Sequence, residues 1–227
     1  MAKIDSSFFK GEETNYEQKW FCLFLIDVST SMSDEALEGL NEELRNLHRL
    51  INEDETSSQR IVLCIMTFGQ DVKILQKPAL VEDFTMPKVV RENGVVQAID
   101  DAIELINARK HWCNETGQPY YRPCLFLMTN KADEKLLHCD ELKQLTEDVQ
   151  HRKYDFLMVG MNGSSVHAHS SEIEIRMKDD RSLAQILFSM WRIIKWGDYA
   201  CEMPLSDGTL TGIVLPPDDT WMDDFEN

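Results

Sequence analysis

The feature that most constrains the fold is a short apolar run that ends in a carboxylate. Residues 21–26 read Phe-Cys-Leu-Phe-Leu-Ile, and Asp27 follows them directly. A strand buried on both faces of a sheet has this uninterrupted apolar character, whereas a half-exposed strand alternates apolar and polar side chains. The run therefore predicts a central strand that carries Asp27 at its carboxyl end.

Further apolar runs have the same character and are separated by helical patterns. The runs cover 60–68, 124–128 and 154–159, and shorter strands are predicted at 72–75 and 173–177. Apolar residues at three- and four-residue steps mark helices at 37–51, 95–106, 136–152 and 183–194. Strands that alternate with helices indicate an α/β fold. We expect a doubly wound, mostly parallel sheet with helices on both faces and one antiparallel edge strand.

The pattern divides the chain into three parts. Residues 1–19 form a polar lead-in without periodicity, 20–197 hold the α/β domain, and 198–227 form a C-terminal extension. The end of the extension places Trp221, Met222 and Phe225 among acidic residues. These apolar side chains either dock on a partner or fold back over their own domain, and the sequence leaves both interpretations open.

Charge and cysteine usage narrow the class of partner and the compartment. The net charge is −17, which argues against nucleic acid or an anionic membrane surface as the main partner. No apolar run approaches the length of a membrane span, and the N-terminus does not have the order of a signal peptide. The six cysteines are scattered without a Cys-x-x-Cys pair, so a cytoplasmic protein without a disulfide framework is expected.

The turn after the first strand concentrates oxygen ligands. Asp27, Ser29 and Ser31 alternate along it, and one carboxylate with two hydroxyls is a plausible half-shell for Mg²⁺. Alternatively, Ser31 or Ser33 caps the next helix while Asp27 accepts hydrogen bonds from loop amides. In sheets of this type ligands bind beyond the carboxyl ends of the strands, where Asn93-Gly94 and Thr129-Asn130 are also expected.

The layout resembles the von Willebrand factor A family over roughly residues 20–195. The residues that carry the resemblance are Asp27-Val-Ser-Thr-Ser, similar to the Asp-x-Ser-x-Ser loop of the family's metal-ion-dependent adhesion site, and the segments 65–69 and 120–129. Their spacing is most similar to bacterial TerY-like proteins, which are cytoplasmic and associated with tellurium resistance and stress. The resemblance implies a Mg²⁺ site completed by two further loops and by a carboxylate of the partner protein.

The other two loops depart from the family pattern. Val95 stands where the family has the Thr of Gly-Gly-Thr, and Asn130 replaces the Asp of Thr-Asp-Gly. The protein charge facing an ion falls from about −2 to about −1 by carboxylate count, which weakens Mg²⁺ binding. We expect a degenerate site with no cofactor or weakly bound Mg²⁺, held by Asp27, Ser29 and Ser31 with Asn130 as a possible ligand. A sharper hypothesis is that the ammonium of Lys131 takes the place of the ion beside Asp27.

No catalytic arrangement is indicated, so an enzyme is not expected. Asn130-Lys131-Ala132-Asp133 matches the guanine-reading motif of GTPases, but the chain contains no Gly-x-x-x-x-Gly-Lys-Ser/Thr loop to hold phosphates. The histidines and cysteines do not form paired sets at zinc-finger spacing.

The resulting expectation is a non-enzymatic protein-interaction module. By resemblance, it is a scaffold or adaptor in a bacterial stress, tellurite-resistance or defence system, with kinase- or phosphatase-like partners. The expected partner-binding residues are Asp27, Ser29, Ser31, Asn93, Val95, Asn130 and Lys131. One alternative is an adhesion-type switch in which the partner completes a Mg²⁺ shell, and another is a structural subunit of a larger assembly.

Overall fold

The structure is a computed structural model that describes residues 6–9, 16–30, 32–92, 98–129, 145, 147–160 and 183–195. The strands are β1 (Trp20–Asp27), β2 (Ile61–Phe68), β3 (Val72–Leu80), β4 (Cys124–Thr129) and β5 (Asp155–Gly160). The helices are α1 (Asp34–Glu53), α2 (Glu55–Ser58), α3 (Ile99–Thr116) and α4 (Leu183–Lys195). Residues 147–150 are helical as well, within the helix predicted at 136–152.

The described strands form one sheet in the order β3-β2-β1-β4-β5. β1 pairs in parallel with β2 and β4, β4 pairs in parallel with β5, and β3 runs antiparallel to β2. The mostly parallel α/β sheet predicted from the sequence is therefore confirmed, with β1 at its centre. Because parallel strands end at the same edge, Asp27, Phe68 and Thr129 end three neighbouring strands together.

Alternate residues of β1 pack into two separate apolar clusters. Cys22, Phe24 and Ile26 join a cluster that contains residues of α1 and α4. Phe21, Leu23 and Leu25 join a cluster that contains residues of α3. The continuous apolar run at 21–26 is thus explained, because every residue of β1 is buried.

The cysteines inside the strands behave as small hydrophobes. Cys22, Cys64 and Cys124 are buried and free. Burial raises the pKa of each of these thiols, because a thiolate loses its hydration inside the core. They are therefore unreactive at neutral pH.

β3 is longer than the sequence indicates. The predicted strand stops at Leu75 because Pro78 cannot donate a hydrogen bond to a neighbouring strand, yet β3 continues to Leu80. The pairing of β2 with β3 shifts register between Leu63 and Ile65, opposite the segment that contains Pro78. A bulge of this kind leaves residues out of the ladder, so it accommodates the proline without breaking the strand.

Two helix boundaries also differ from the prediction. The helix predicted at 37–51 is followed by a further short helix, α2, which Asp54 caps by accepting the Ser57 N–H at 2.8 Å. α3 runs on to Thr116, whereas the apolar pattern predicts a helix only over 95–106. Its last turns bury Arg109 and Trp112, and a buried arginine interrupts the apolar pattern from which helices are recognised.

The predicted polar lead-in contributes to the core. Residues 6–9 form a 3-10 turn, and Phe9 is buried against Trp112 with their ring centroids 5.9 Å apart. The Arg109 guanidinium lies 4.5 Å from the Trp112 ring and 5.4 Å from the Phe9 ring, which is the geometry of cation–π contacts. Four residues are too few to show a period, so the two adjacent phenylalanines were the available signal.

Several predictions fall on residues outside the described ranges. They are the strand at 173–177, most of the helix at 136–152, and the extension 198–227. Within the described ranges, none of the helices combines the length and the apolar character that a bilayer crossing requires.

Candidate protein-interaction face

The candidate site is built around the carboxylate of Asp27, which is only 6% exposed at the carboxyl end of β1. Its Oδ1 accepts the backbone N–H of Ser29 at 2.9 Å. Its Oδ2 accepts the hydroxyl of Thr129, at the end of the neighbouring strand β4, at 3.0 Å. Ser29 and Thr129 are themselves almost fully buried. Each oxygen of the carboxylate is thus hydrogen-bonded by the protein's own groups.

Local backbone contacts hold the turn after β1. The Val28 N–H donates to the Phe68 carbonyl at 2.9 Å, which continues the pairing of β1 with β2 by one residue. The Met32 N–H donates to the Ser29 carbonyl at 3.1 Å. Ser33 then caps α1 by accepting the Ala36 N–H at 3.1 Å. A serine cap contributes about 1 kcal/mol to helix stability.

This geometry matches the capping alternative weighed in the sequence analysis. Ser33 is the helix cap, and Asp27 accepts a hydrogen bond from a loop amide. Capping does not exclude a ligand role for Asp27 and Ser29, because the same turn can serve both.

One side of the candidate face is the turn that follows Asp27 at the end of β1, which we call the Asp27 turn. The second side is formed by residues 84–92, which we call the strap. Its last residue, Glu92, donates its backbone N–H to the Val28 carbonyl at 2.8 Å. Arg91 forms an ion pair with Asp34 in the first turn of α1 at 2.7 Å. The strap therefore lies beside the Asp27 turn and leads directly into residues 93–97, where the sequence predicts the second loop of the site.

Glu92 is a site residue that the sequence analysis missed. Its carboxylate forms an ion pair with the Lys73 ammonium near the start of β3 and raises the Lys73 pKa, chiefly through their hydrogen bond. The other oxygen, Oε2, is buried, and none of the described residues hydrogen-bonds to it. No spacing rule connects Lys73 with Glu92, so the pair was not visible in the sequence.

Gly69, at the end of β2, allows Glu92 to approach. A Cβ at this position would lie 3.0 Å from the Glu92 Cβ and 3.1 Å from the Val28 Cγ2. Both distances are shorter than ordinary carbon–carbon contacts of about 3.5–4.0 Å. The glycine therefore keeps the strap and the Asp27 turn in contact.

The structure brings together some of the predicted site residues. Asp27 and Ser29 lie side by side, with Thr129 as an additional member. The other predicted members of the face and of the tail lie outside the described residues: Ser31, Asn93, Val95, Asn130, Lys131, Trp221, Met222 and Phe225. The hypothesis that Lys131 replaces an ion beside Asp27 therefore stays a prediction.

The described residues fit a tightly held metal ion poorly. Among them, no three His, Cys, Asp or Glu side chains come together as a metal cluster. Asp27 supplies one carboxylate, and the Thr129 hydroxyl beside it is a neutral ligand. Ser29 contacts the carboxylate through its backbone N–H, which is not a metal ligand. Mg²⁺ sheds its water reluctantly, so a set with one charge favours at most weak binding.

Comparisons with known proteins do not show which family the chain belongs to. No family model matches it, and no curated protein matches it. Among solved structures, it is similar to proximal thread matrix protein 1 from the mussel byssus, with 16% identity and a TM-score of 0.41 over 64% of this chain and 38% of that chain. Manganese-loaded TRAP protein from Plasmodium vivax has 15% identity and a TM-score of 0.40, covering 63% of this chain and 57% of that chain.

The PilB minor pilin from Streptococcus sanguinis has 14% identity and a TM-score of 0.37 over 54% of this chain and 34% of that chain. This chain therefore spans between about one third and three fifths of the length of these three proteins. Likenesses this low do not establish function, so they carry no weight in the proposal below.

Proposed function

We propose that the chain is a non-enzymatic protein-interaction domain that binds its partner at the carboxyl ends of the strands without needing a metal ion. In this proposal the fold is a doubly wound von Willebrand factor A-like domain with helices on both faces. The observation that carries the proposal is the Asp27 carboxylate, which is buried and receives a hydrogen bond on each oxygen from Ser29 and Thr129.

The energetics favour a site that is organised before any ligand arrives. Hydrogen bonds to a charged group contribute about 1.5–3 kcal/mol each. Two such bonds offset much of the cost of burying one carboxylate, which in a metal centre would be offset by the ion. An edge that is already rigid loses little conformational entropy when a partner docks on it.

The surface around Asp27 has the features of a small docking site. Val90 of the strap is one of only two large apolar side chains that the described residues expose, with 56% of its surface accessible. The two residues that follow Val90 are charged, and they form the ion pairs of Arg91 with Asp34 and of Glu92 with Lys73. An apolar contact within a polar rim is the usual anatomy of a protein interface.

The biological setting rests on resemblance alone. Similarity to TerY-like proteins supports a cytoplasmic scaffold or adaptor in a bacterial stress, tellurite-resistance or defence system. Kinase- or phosphatase-like proteins of the same system are the partners proposed on that basis.

The rival function is an adhesion-type switch, in which Mg²⁺ is captured once a partner donates a carboxylate. One observation favours it: the carboxylate of Asp27 and the hydroxyl of Thr129 meet at the edge of the sheet, and a carboxylate oxygen can accept more than one interaction. The two functions differ in their dependence on a divalent ion.

Capture of a partner from native lysate, with and without EDTA, tests the proposal. The two exposed apolar residues form a matched pair, because Val90 lies two residues before Glu92, which contacts the Asp27 turn, and Tyr16 lies four residues before the opposite end of β1. We expect Val90→Asp to reduce capture at least about tenfold, as loss of about 1.4 kcal/mol would. Tyr16→Asp and EDTA are expected to leave it unchanged.

Two outcomes would contradict the proposal. Capture that disappears with EDTA would support the metal-dependent switch. Capture that is lost equally in both variants, or in neither, would mean that the partner binds elsewhere on the chain.

A further inference from the structure

A buried asparagine interrupts the apolar face of α1. Asn41 is 5% exposed and lies between Leu37 and Leu44, both of which are buried in the core. A polar side chain in such a position costs stability unless its hydrogen bonds are satisfied. Asparagine is also a poorer helix former than leucine, so helix formation alone does not account for it.

The side-chain amide of Asn41 hydrogen-bonds to both the N–H and the carbonyl of one residue of the strap, Val89. Its Nδ2 donates to the Val89 carbonyl at 2.9 Å and to the Leu37 carbonyl at 2.7 Å. Its Oδ1 accepts the Val89 N–H at 2.8 Å. The side chain therefore pairs with Val89 as a neighbouring strand would, and it satisfies both backbone groups of that buried residue.

The pairing fixes which residues of the strap face the site. Val89 points into the core and is 1% exposed, whereas its neighbour Val90 is exposed. In extended chain, successive side chains point to opposite sides, so a slip of one residue would bury Val90 and expose Val89. Apolar packing alone distinguishes poorly between two adjacent valines, whereas a two-bond pairing with one backbone unit distinguishes them well.

Further contacts of the strap depend on the same register. His48 hydrogen-bonds to the Phe84 carbonyl at 2.8 Å. At the other end, Arg91 reaches Asp34, and the Glu92 N–H reaches the Val28 carbonyl at 2.8 Å. Asn41 lies between these two ends and joins the strap to α1 through buried hydrogen bonds.

We propose that Asn41 is a positioning residue of the interaction face, which sets the register of the strap and so presents Val90, Arg91 and Glu92 beside the Asp27 turn. The inference rests on the proposed function, because it assigns a role in partner binding to a residue that the partner does not touch. Asn41 acts through Val89, and its effect on binding is indirect.

Two substitutions at this position separate register from packing. Asn41→Leu keeps the volume and suits the apolar surroundings, but it removes all three hydrogen bonds. Asn41→Asp keeps the acceptor for the Val89 N–H and replaces the donor by an oxygen that faces two carbonyls. Leu47→Ala is the control, because Leu47 is a buried residue of the same helix whose apolar side chain cannot hydrogen-bond to the strap backbone.

Amide hydrogen exchange of the isolated protein is the first readout. We expect Asn41→Leu to accelerate exchange of the Val89 and Glu92 amides at least about tenfold, which corresponds to about 1.4 kcal/mol of lost local protection. Exchange of the β1 and β4 amides is expected to change only as much as the global free energy of unfolding changes. Leu47→Ala lowers global stability without selecting the strap.

Partner capture is the second readout, and a purely structural role would not affect it at matched stability. We expect both Asn41 variants to reduce capture to the level of Val90→Asp, while Leu47→Ala retains it.

Unchanged exchange at Val89 and Glu92 in Asn41→Leu would overturn the inference. Faster exchange with normal capture would also overturn it, and the proposed function would stand if Val90→Asp still abolished capture. If Val90→Asp had no effect either, the proposed function itself would fail.

Discussion

Replacing Phe24 by alanine is expected to lower the free energy of unfolding by about 3–5 kcal/mol. Phe24 lies at the centre of β1 and is fully buried. Its ring packs edge-to-face on Phe126 of β4, with centroids 4.9 Å apart. The substitution removes the transfer free energy of the ring and leaves a cavity that strands paired on both sides cannot close.

Urea denaturation of the wild type and the variant measures this loss. Val90→Ala is the control, since Val90 is exposed and its truncation should change the unfolding free energy by no more than about 0.5 kcal/mol. A loss below about 1 kcal/mol for Phe24→Ala, the size of a surface effect, would show that β1 is not the centre of the core.

Replacing Asp27 by alanine is expected to cost about 2–4 kcal/mol, because two buried donors lose a charged acceptor at the same time. The Ser29 N–H and the Thr129 hydroxyl donate to separate oxygens of this carboxylate. Asp27→Asn keeps the shape but presents an NH₂ group to one of the two donors. We therefore expect a smaller loss for the amide, about half of that for alanine.

Asp34→Ala is a matched control for this experiment. Asp34 is a carboxylate in the first turn of α1, its side chain is 89% exposed, and it forms a surface ion pair with Arg91. Its removal should cost no more than about 1 kcal/mol. Equal losses for Asp27→Ala and Asp34→Ala would contradict the assignment of Asp27 as a buried structural acceptor. The measurements are made in EDTA so that an ion cannot contribute.

The central part of the fold can be predicted from the sequence, because the apolar patterns that indicate its strands and helices each lie within one short segment of the chain. Four runs of apolar residues became buried strands, and the three- and four-residue steps from Leu37 to Ile51 became the buried face of α1. A strand at the middle of a parallel sheet has a composition that few other elements share. The edge at which Asp27 and Thr129 meet then follows from the parallel direction of β1 and β4.

The features that escaped prediction depend on contacts between distant parts of the chain. β3 passes Pro78 because a bulge in its pairing with β2 accommodates it. α3 continues past Ile106 because Arg109 is buried among aromatic rings, including that of Phe9. Burial of charge through such contacts has no local signature in the residue pattern.

The residues of the proposed interaction face show the same division. Asp27 and Ser29 stand in a recognisable motif, so the sequence identifies them. Asn41 and Glu92 take their roles from the strap, which lies 48 residues from Asn41 along the chain at Val89. A polar residue at a core position of α1 was the one sequence signal for Asn41, and its partner could not be inferred without the fold.

The most direct test of the account is a magnesium titration of the wild-type protein followed by its melting temperature. The titration starts in EDTA without Mg²⁺ and ends at about 10 mM Mg²⁺, at constant ionic strength. Constant ionic strength matters because a net charge of −17 attracts any divalent ion weakly. A carboxylate that the protein's own groups already satisfy predicts the same small shift for the wild type and for Asp27→Asn. A saturating rise of the melting temperature in the wild type alone would contradict the account and establish a working metal site. At a hundredfold excess of Mg²⁺ over the dissociation constant, that rise would correspond to about 2–3 kcal/mol of added stability.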